Sequence, residues 1–194
     1  KVLDFEEDSD FLDSLYYSTD SHKFTSKMHE DFPEARDKLS KGHEKTVASS
    51  VLYRLPEIFT KERKNKQDLK FIGVINNKRK WRYIAPEYIE EHPNLRKFKV
   101  MLPGSNGSGA IGEVLSTPLV GEPLVGEPLV GHTQTFISFG AFETREEAEN
   151  LLKYIKTKFA RTMLGTLKIT QSNKKDTWRN VPLQNFTPDS DIDW

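Results

Sequence analysis

Cysteine is missing from all 194 residues, which excludes a disulfide framework and a thiolate zinc site and fits a cytoplasmic setting. No apolar run approaches the roughly 18 residues that span a bilayer, and no signal-peptide core is visible, so no membrane partner is expected. Net charge is also missing, because 29 Lys and Arg balance 29 Asp and Glu. The five histidines, His22, His29, His43, His92 and His132, are scattered, with no pair spaced as metal ligands on a helix. The glycine-rich GSNGSGAIG (104–112) lacks the Lys-Ser/Thr ending of a phosphate-binding loop, and neither Ser116 nor Ser138 sits in a nucleophile elbow. What remains is ample material for a core: 12 Phe, 6 Tyr and 3 Trp in a chain long enough to bury most of its surface. A first residue of Lys rather than Met, and an acidic end at Trp194, read as a piece cut from a longer protein.

The balanced charge is zoned. Residues 1–37 carry 11 acids and 4 bases, residues 54–99 carry 13 bases and 6 acids, residues 100–152 carry 7 acids and 1 base, and residues 153–179 carry 8 bases and 1 acid. Two basic blocks separated by an acidic one either dress two solvated faces or build a face for a polyanion.

Local patterns place these blocks on elements. KFIGVI (70–75) and KWRYI (80–84) flank Asn76-Asn77-Lys78-Arg79, the signature of a β-hairpin. KFKVMLP (97–103) and TQTFISFG (133–140) read as strands, and GTLKITQ (165–171) as a further strand-like segment with Gly165 as helix stop. Thr144 and Glu147 form a capping box before Ala148, Leu151, Leu152, Ile155, Phe159 and Met163, so one long amphipathic helix is expected over about 144–164. PEARDKLSK (33–41) and PEYIEEHP (86–93) suit short helices. The pentapeptide tandem Leu119–Pro123, Leu124–Pro128 and the start of a third copy at Leu129–Gly131 is too short in period for a solenoid and fits a tolerated loop expansion. Strands interspersed with one long helix and several short ones indicate an α/β (α+β) domain built on a mixed sheet.

Within the basic blocks, cations alternate with aromatics. Arg79, Trp81 and Tyr83 share one face of the second hairpin strand, with Lys78, Lys80 and Arg82 on the other. Such residues can pair with phosphates and stack on bases, or can equally be core aromatics with cations in water. In the second block, Gln171, Ser172, Asn173, Lys174 and Lys175 precede Trp178 and Arg179, a composition suited to base edges in the major groove and also to an ordinary polar loop.

FKVMLPGSNGSGAIGEVLSTPLVGEPLVG, TQTFISFGAFETREEAENLLKYIKTKFARTMLGTLKITQ and TWRNVPLQNFTPDSDIDW together resemble the C-terminal target-recognition region of restriction–modification adenine methyltransferases. The resemblance is to the class with a TaqI-like specificity domain, which includes chains that fuse methylase and endonuclease. It covers roughly residues 70–194, leaving 1–69 as an acidic, partly helical segment without an assigned role. It implies a non-catalytic recognition domain for double-stranded DNA. The methyltransferase domain of the same parent chain would bind S-adenosylmethionine, with Mg where the parent also cleaves, and would methylate a flipped adenine. The family's Asn/Asp-Pro-Pro-Tyr/Phe motif does not occur here. On this reading Lys80, Arg82, Lys99, Lys158, Arg161 and Lys168 contact phosphates, and Arg79, Asn106, Gln134, Gln171, Asn173 and Lys174 read base edges. The reading requires cations from two distant stretches to converge on one strip fitted to a duplex. Two rivals remain: Mg-dependent nuclease chemistry around Glu62 and Lys64, with Glu57 or Asp37 as a second acid, and a subunit-docking module using residues 1–37.

Overall fold

A computed structural model of the chain describes residues 10–105 and 123–194. Asn106, most of the glycine-rich loop and all of the first pentapeptide copy but Pro123 lie outside the described residues. A 3-10 turn at Leu12–Leu15 leads into β1 (Tyr16–Tyr17), then α1 (Ser26–Asp31), a 3-10 turn at Pro33–Lys38 and α2 (Val51–Arg54). Strands β2 (Leu69–Ile75), β3 (Lys78–Ile84), β4 (Phe98–Pro103), β5 (Leu124–Gly126), β6 (Val130–His132) and β7 (Phe136–Phe142) follow, with a 3-10 turn at Pro86–Tyr88 after β3. Helices α3 (Arg145–Lys156) and α4 (Lys158–Leu167) and a 3-10 turn at Lys175–Trp178 complete an α+β fold.

The strands form two sheets, one ordered β1-β7-β4-β5 and one ordered β3-β2-β6. The second is mixed: β2 runs antiparallel to β3 and parallel to β6. The β2–β3 hairpin the sequence predicts is present, but its turn is two residues rather than the four expected at 76–79, because Lys78 and Arg79 already belong to β3. Asn76 and Asn77 take φ of 51° and 58°, and Ile75 pairs with Lys78. Positive φ at both central residues matches the twist of the flanking strands, and Asn tolerates it.

One hydrophobic cluster packs α1, α2 and the 92–95 turn against Leu69, Phe71 and Ile84 of the β2–β3 hairpin. The boundary expected at 69/70 therefore falls inside a single core, with Leu52, Leu55 and Phe59 on one side of it in sequence and Phe71 on the other. A second cluster packs α3 and α4 on Val100, Leu102, Ile137 and Phe139, and takes in Leu12 from the amino-terminal segment and Trp178, Val181 and Phe186 from the carboxyl-terminal one. A third and smaller cluster, Ile72, Met101, Val130 and Phe136, lies between the two sheets.

Two expectations are corrected. The single helix over 144–164 is two helices, broken at Thr157, whose backbone is extended (φ −63°, ψ 151°). Its hydroxyl donates to the Tyr154 carbonyl at 2.8 Å and accepts from the Ala160 amide at 3.1 Å, closing one helix and opening the next. GTLKITQ is not a strand either, since α4 runs through Gly165 to Leu167. The cost of about 1 kcal/mol for a helical glycine is outweighed by burial of Ala160 and Leu164 in the second core.

The pentapeptide period is not a structural period. Leu124–Gly126 is β5, paired with β4, whereas Leu129 takes φ of 65° and the following Val130–His132 is β6, paired with β2 in the other sheet. The two glycines of the repeat that are described, Gly126 and Gly131, each sit at a close approach. A Cβ at Gly126 would lie 3.0 Å from Lys99 Cε, and one at Gly131 would lie 2.6 Å from Phe71 Cζ.

Candidate nucleic-acid interface

Strand β3 is the edge of its sheet, and the alternation of its residues sets cations against aromatics. Opposite it in register, Lys70 faces Tyr83 and Ile72 faces Trp81. The Lys70 ammonium sits 4.6 Å from the Trp81 ring centroid, the Arg63 guanidinium 5.5 Å from the Tyr83 ring, and the Arg79 guanidinium 5.5 Å from the Phe136 ring. Attraction between a cation and an aromatic face holds these groups in a row without removing their charge. Thr60 pairs with Tyr83 on the outer edge, and the Arg82 guanidinium donates to the Trp81 carbonyl at 2.8 Å. Lys78 and Lys80 are exposed, and neither joins an ion pair among the described residues. A charged edge of this kind also blocks unwanted strand addition.

The hairpin meets the second basic block through a short chain of contacts. Phe136, under the Arg79 guanidinium, pairs across the sheet with Pro103. The Pro103 carbonyl accepts from Asn173 Nδ2 at 2.9 Å, and the Asn173 amide donates to the Gly104 carbonyl at 2.8 Å. Ser172 bridges to Ser105, and the Gly104 amide donates to the Thr135 carbonyl at 2.8 Å. These contacts link the hairpin carrying Arg79, through the exit of β4, to the loop carrying Gln171 and Lys174, up to about a hundred residues away in sequence, whereas exposed Gln134 in the turn before β7 lines a pocket with Leu39, His43, Thr46 and Val51. Lys158 and Arg161 lie on the first turns of α4, about 10 Å or more along its axis from that loop at 1.5 Å per residue.

Three of the predicted contacts are corrected. Lys99 is 1% exposed, and its ammonium donates to the carbonyls of Asn94, Lys97 and Glu127 at 2.6, 2.9 and 3.1 Å, with Leu95 O at 3.3 Å. Lys168 is also 1% exposed and binds the Thr170 carbonyl at 2.8 Å, while Asn173 is 2% exposed with its side chain turned to Pro103. These groups hold backbone carbonyls and are not available to DNA. For Lys99 the reason is tertiary: both faces of β4 are covered, one by α3 and the other by the second sheet.

A buried polar seam, which scattered histidines in the sequence do not reveal, joins the two sheets. His22, His92 and His132 converge, with the His22 ring centroid 4.8 Å from that of His132 and 5.2 Å from that of His92. The donors and acceptors order themselves. His92 Nδ1 donates to Asn94 Oδ1 (2.8 Å), Asn94 Nδ2 to Ser138 Oγ (2.9 Å), Ser138 Oγ to His132 Nε2 (3.1 Å), and His132 Nδ1 to the Thr133 carbonyl (3.1 Å). Neither ring nitrogen of His22 has a hydrogen-bond partner among the described residues. Burial, then the His132, His92 and Lys99 charges, drives the His22 imidazole well below its usual value, and burial pulls His132 down to about 4. Burial also brings Lys99 down to about 7, against a cage of four carbonyl oxygens that only the ammonium can satisfy with three donors.

The expected nuclease pair is built differently. Asp68 is buried and accepts from the Lys64 and Asn65 amides at 2.8 and 2.9 Å, while Glu62 is exposed and Glu57 pairs with Lys38 at 2.9 Å. Among the described residues no group of three His, Cys, Asp or Glu is arranged to hold a metal ion, and no helix is long and apolar enough to cross a membrane. No family model, no curated protein and no solved structure matches the chain.

Proposed function

We propose that this chain is a sequence-specific recognition domain for double-stranded DNA, without catalysis of its own, belonging to a bacterial restriction–modification adenine methyltransferase whose other domain binds S-adenosylmethionine. The observation that carries the proposal is the contact chain from Arg79 through Phe136 and Pro103 to Asn173, which connects the hairpin carrying Arg79 with the loop carrying Gln171 and Lys174. Those residue types are the ones that make paired hydrogen bonds to guanine and adenine edges. Lys78 and Lys80 extend from it along the hairpin, and Lys174 and Lys175 along the loop, where phosphate contacts would set position. The family assignment rests on the resemblance of residues 70–194 described above.

Duplex binding measured over a salt series tests the proposal. Lys80→Ala should weaken every sequence alike and reduce the salt slope by about 1, whereas Gln171→Ala should relax preference at one base pair by about 1–3 kcal/mol. Lys168→Ala, by contrast, should lower the melting temperature and leave the salt slope of the folded fraction unchanged, because its ammonium is spent on Thr170. Affinity that stays constant between low and moderate salt refutes a phosphate-dominated interface.

A further inference from the structure

The segment between α4 and the last 3-10 turn presents an aliphatic side chain to solvent on a loop that the interior holds in place. Ile169 is 85% exposed, yet both shoulders of its loop are fixed from inside the protein. On the amino-terminal side, the Lys168 amide closes α4 on the Leu164 carbonyl at 3.0 Å, and the buried Lys168 ammonium clamps the Thr170 carbonyl at 2.8 Å. On the carboxyl-terminal side, Ser172 bridges to Ser105, Asn173 donates to Gly104 and Pro103, and the Asn173 carbonyl accepts from the Tyr16 hydroxyl at 3.2 Å. A buried lysine and a buried asparagine hold up an apex of three exposed residues, Ile169, Thr170 and Gln171, followed by exposed Lys174 and Lys175.

An apex with a stiff β-branched apolar group, a hydroxyl, an amide and flanking cations has the chemistry of a major-groove reader. The thymine 5-methyl group is the one apolar feature on a base edge, and aliphatic side chains discriminate it by packing. Ile commits little rotamer freedom to such a contact, because its χ1 is already restricted. Building on the DNA-recognition reading above, we propose that Ile169 is a specificity residue that packs on the 5-methyl group of a thymine, with Gln171 beside it on a neighbouring base edge. The recognised site then contains at least one thymine that uracil cannot replace without loss.

The test uses the full chain and a duplex selected from a randomised 20-base-pair pool, with each thymine of the selected duplex exchanged in turn for uracil, which removes only the methyl group. The expected result is one position at which deoxyuridine weakens binding roughly fourfold, the worth of one buried methyl group. At that position Ile169→Ala should bind the thymine and uracil duplexes equally, and Ile169→Val should restore part of the difference. An exposed side chain can be truncated without unfolding the chain, and an unchanged melting temperature verifies this. Failure to enrich any duplex overturns the DNA-recognition reading and this inference with it. Tight duplex binding that no uracil exchange weakens, or a uracil penalty that persists in Ile169→Ala, overturns this inference alone.

Discussion

Acidification should loosen the seam between the two sheets, and its size follows from the geometry around His132. This imidazole is fully buried, donates through Nδ1 to the Thr133 carbonyl and accepts through Nε2 from Ser138, so the folded protein holds it neutral. Its value falls to about 4 in the folded state against about 6.5 when unfolded, the causes being burial first and the Lys99 and His92 charges after it. A lowered value means that the unfolded chain binds the proton first. The stabilising contribution is therefore whole above pH 6.5 and is lost as pH falls toward 4. Between pH 7 and pH 5 the loss from His132 alone works out at about 2 kcal/mol. His22 acts in the same direction, because burial and its two imidazole neighbours oppose its protonation. Lys99 contributes above neutrality, where stability should climb from about pH 7, at which the folded amine loses its proton, until the unfolded ammonium loses its own near 10.5.

Urea unfolding at pH 7 and pH 5, followed by tryptophan fluorescence, reads the effect directly. His22→Leu conserves volume and removes two ring nitrogens that lack partners, so it should not destabilise at pH 7 and should make the pH dependence shallower. An unfolding free energy that is the same at both pH values in the wild-type chain refutes the reasoning. So does a His22→Leu chain that is weaker at pH 7 and equally acid-sensitive.

Other consequences are confined to single positions. Gly131→Ala would place a Cβ 2.6 Å from Phe71 Cζ in a fully buried site, an overpacking that should cost about 2 kcal/mol in a denaturant titration. Thr144→Ala removes the acceptor for the Glu147 amide (3.2 Å) and half of the capping box, and should lower stability by about 1 kcal/mol in thermal unfolding. Asn77→Val puts a β-branched residue at φ of 58° and should cost about 1–2 kcal/mol, whereas Asn77→Gly should be neutral or stabilising; equal melting temperatures for the two variants would refute a turn that depends on positive φ.

Where local chemistry decides, sequence and structure agree. The Asn76-Asn77 pair prescribes the hairpin, and the Thr144–Glu147 box starts α3 at the predicted place. The alternation along β3 was also legible, since it follows from the pleat. Less legible was Thr157, whose hydroxyl ends α3 and starts α4. The apolar spacing of Ile155, Phe159 and Met163 continues across it, so periodicity alone shows one helix. Lys99 and Lys168 read as surface cations because a basic residue usually stays in water, and their carbonyl partners come from backbone turns that the pattern does not locate.

The repeated Leu-Val-Gly shows most sharply where local information stops. By itself the sequence showed only a repeat with the look of a loop expansion, each copy carrying the same β-branched valine beside the same glycine. Tertiary structure alone decided that Leu124–Gly126 would join β4 against Lys99 while Val130–His132 would join β2 against Phe71, in different sheets. Identical triplets carry identical propensities, so only the register and burial offered by strands elsewhere in the chain can tell them apart. The same holds for the relay from Arg79 through Phe136 and Pro103 to the Gln171 loop and for the three histidines. Each side chain's chemistry is written locally, and its neighbours are set by how two sheets pack around a shared core.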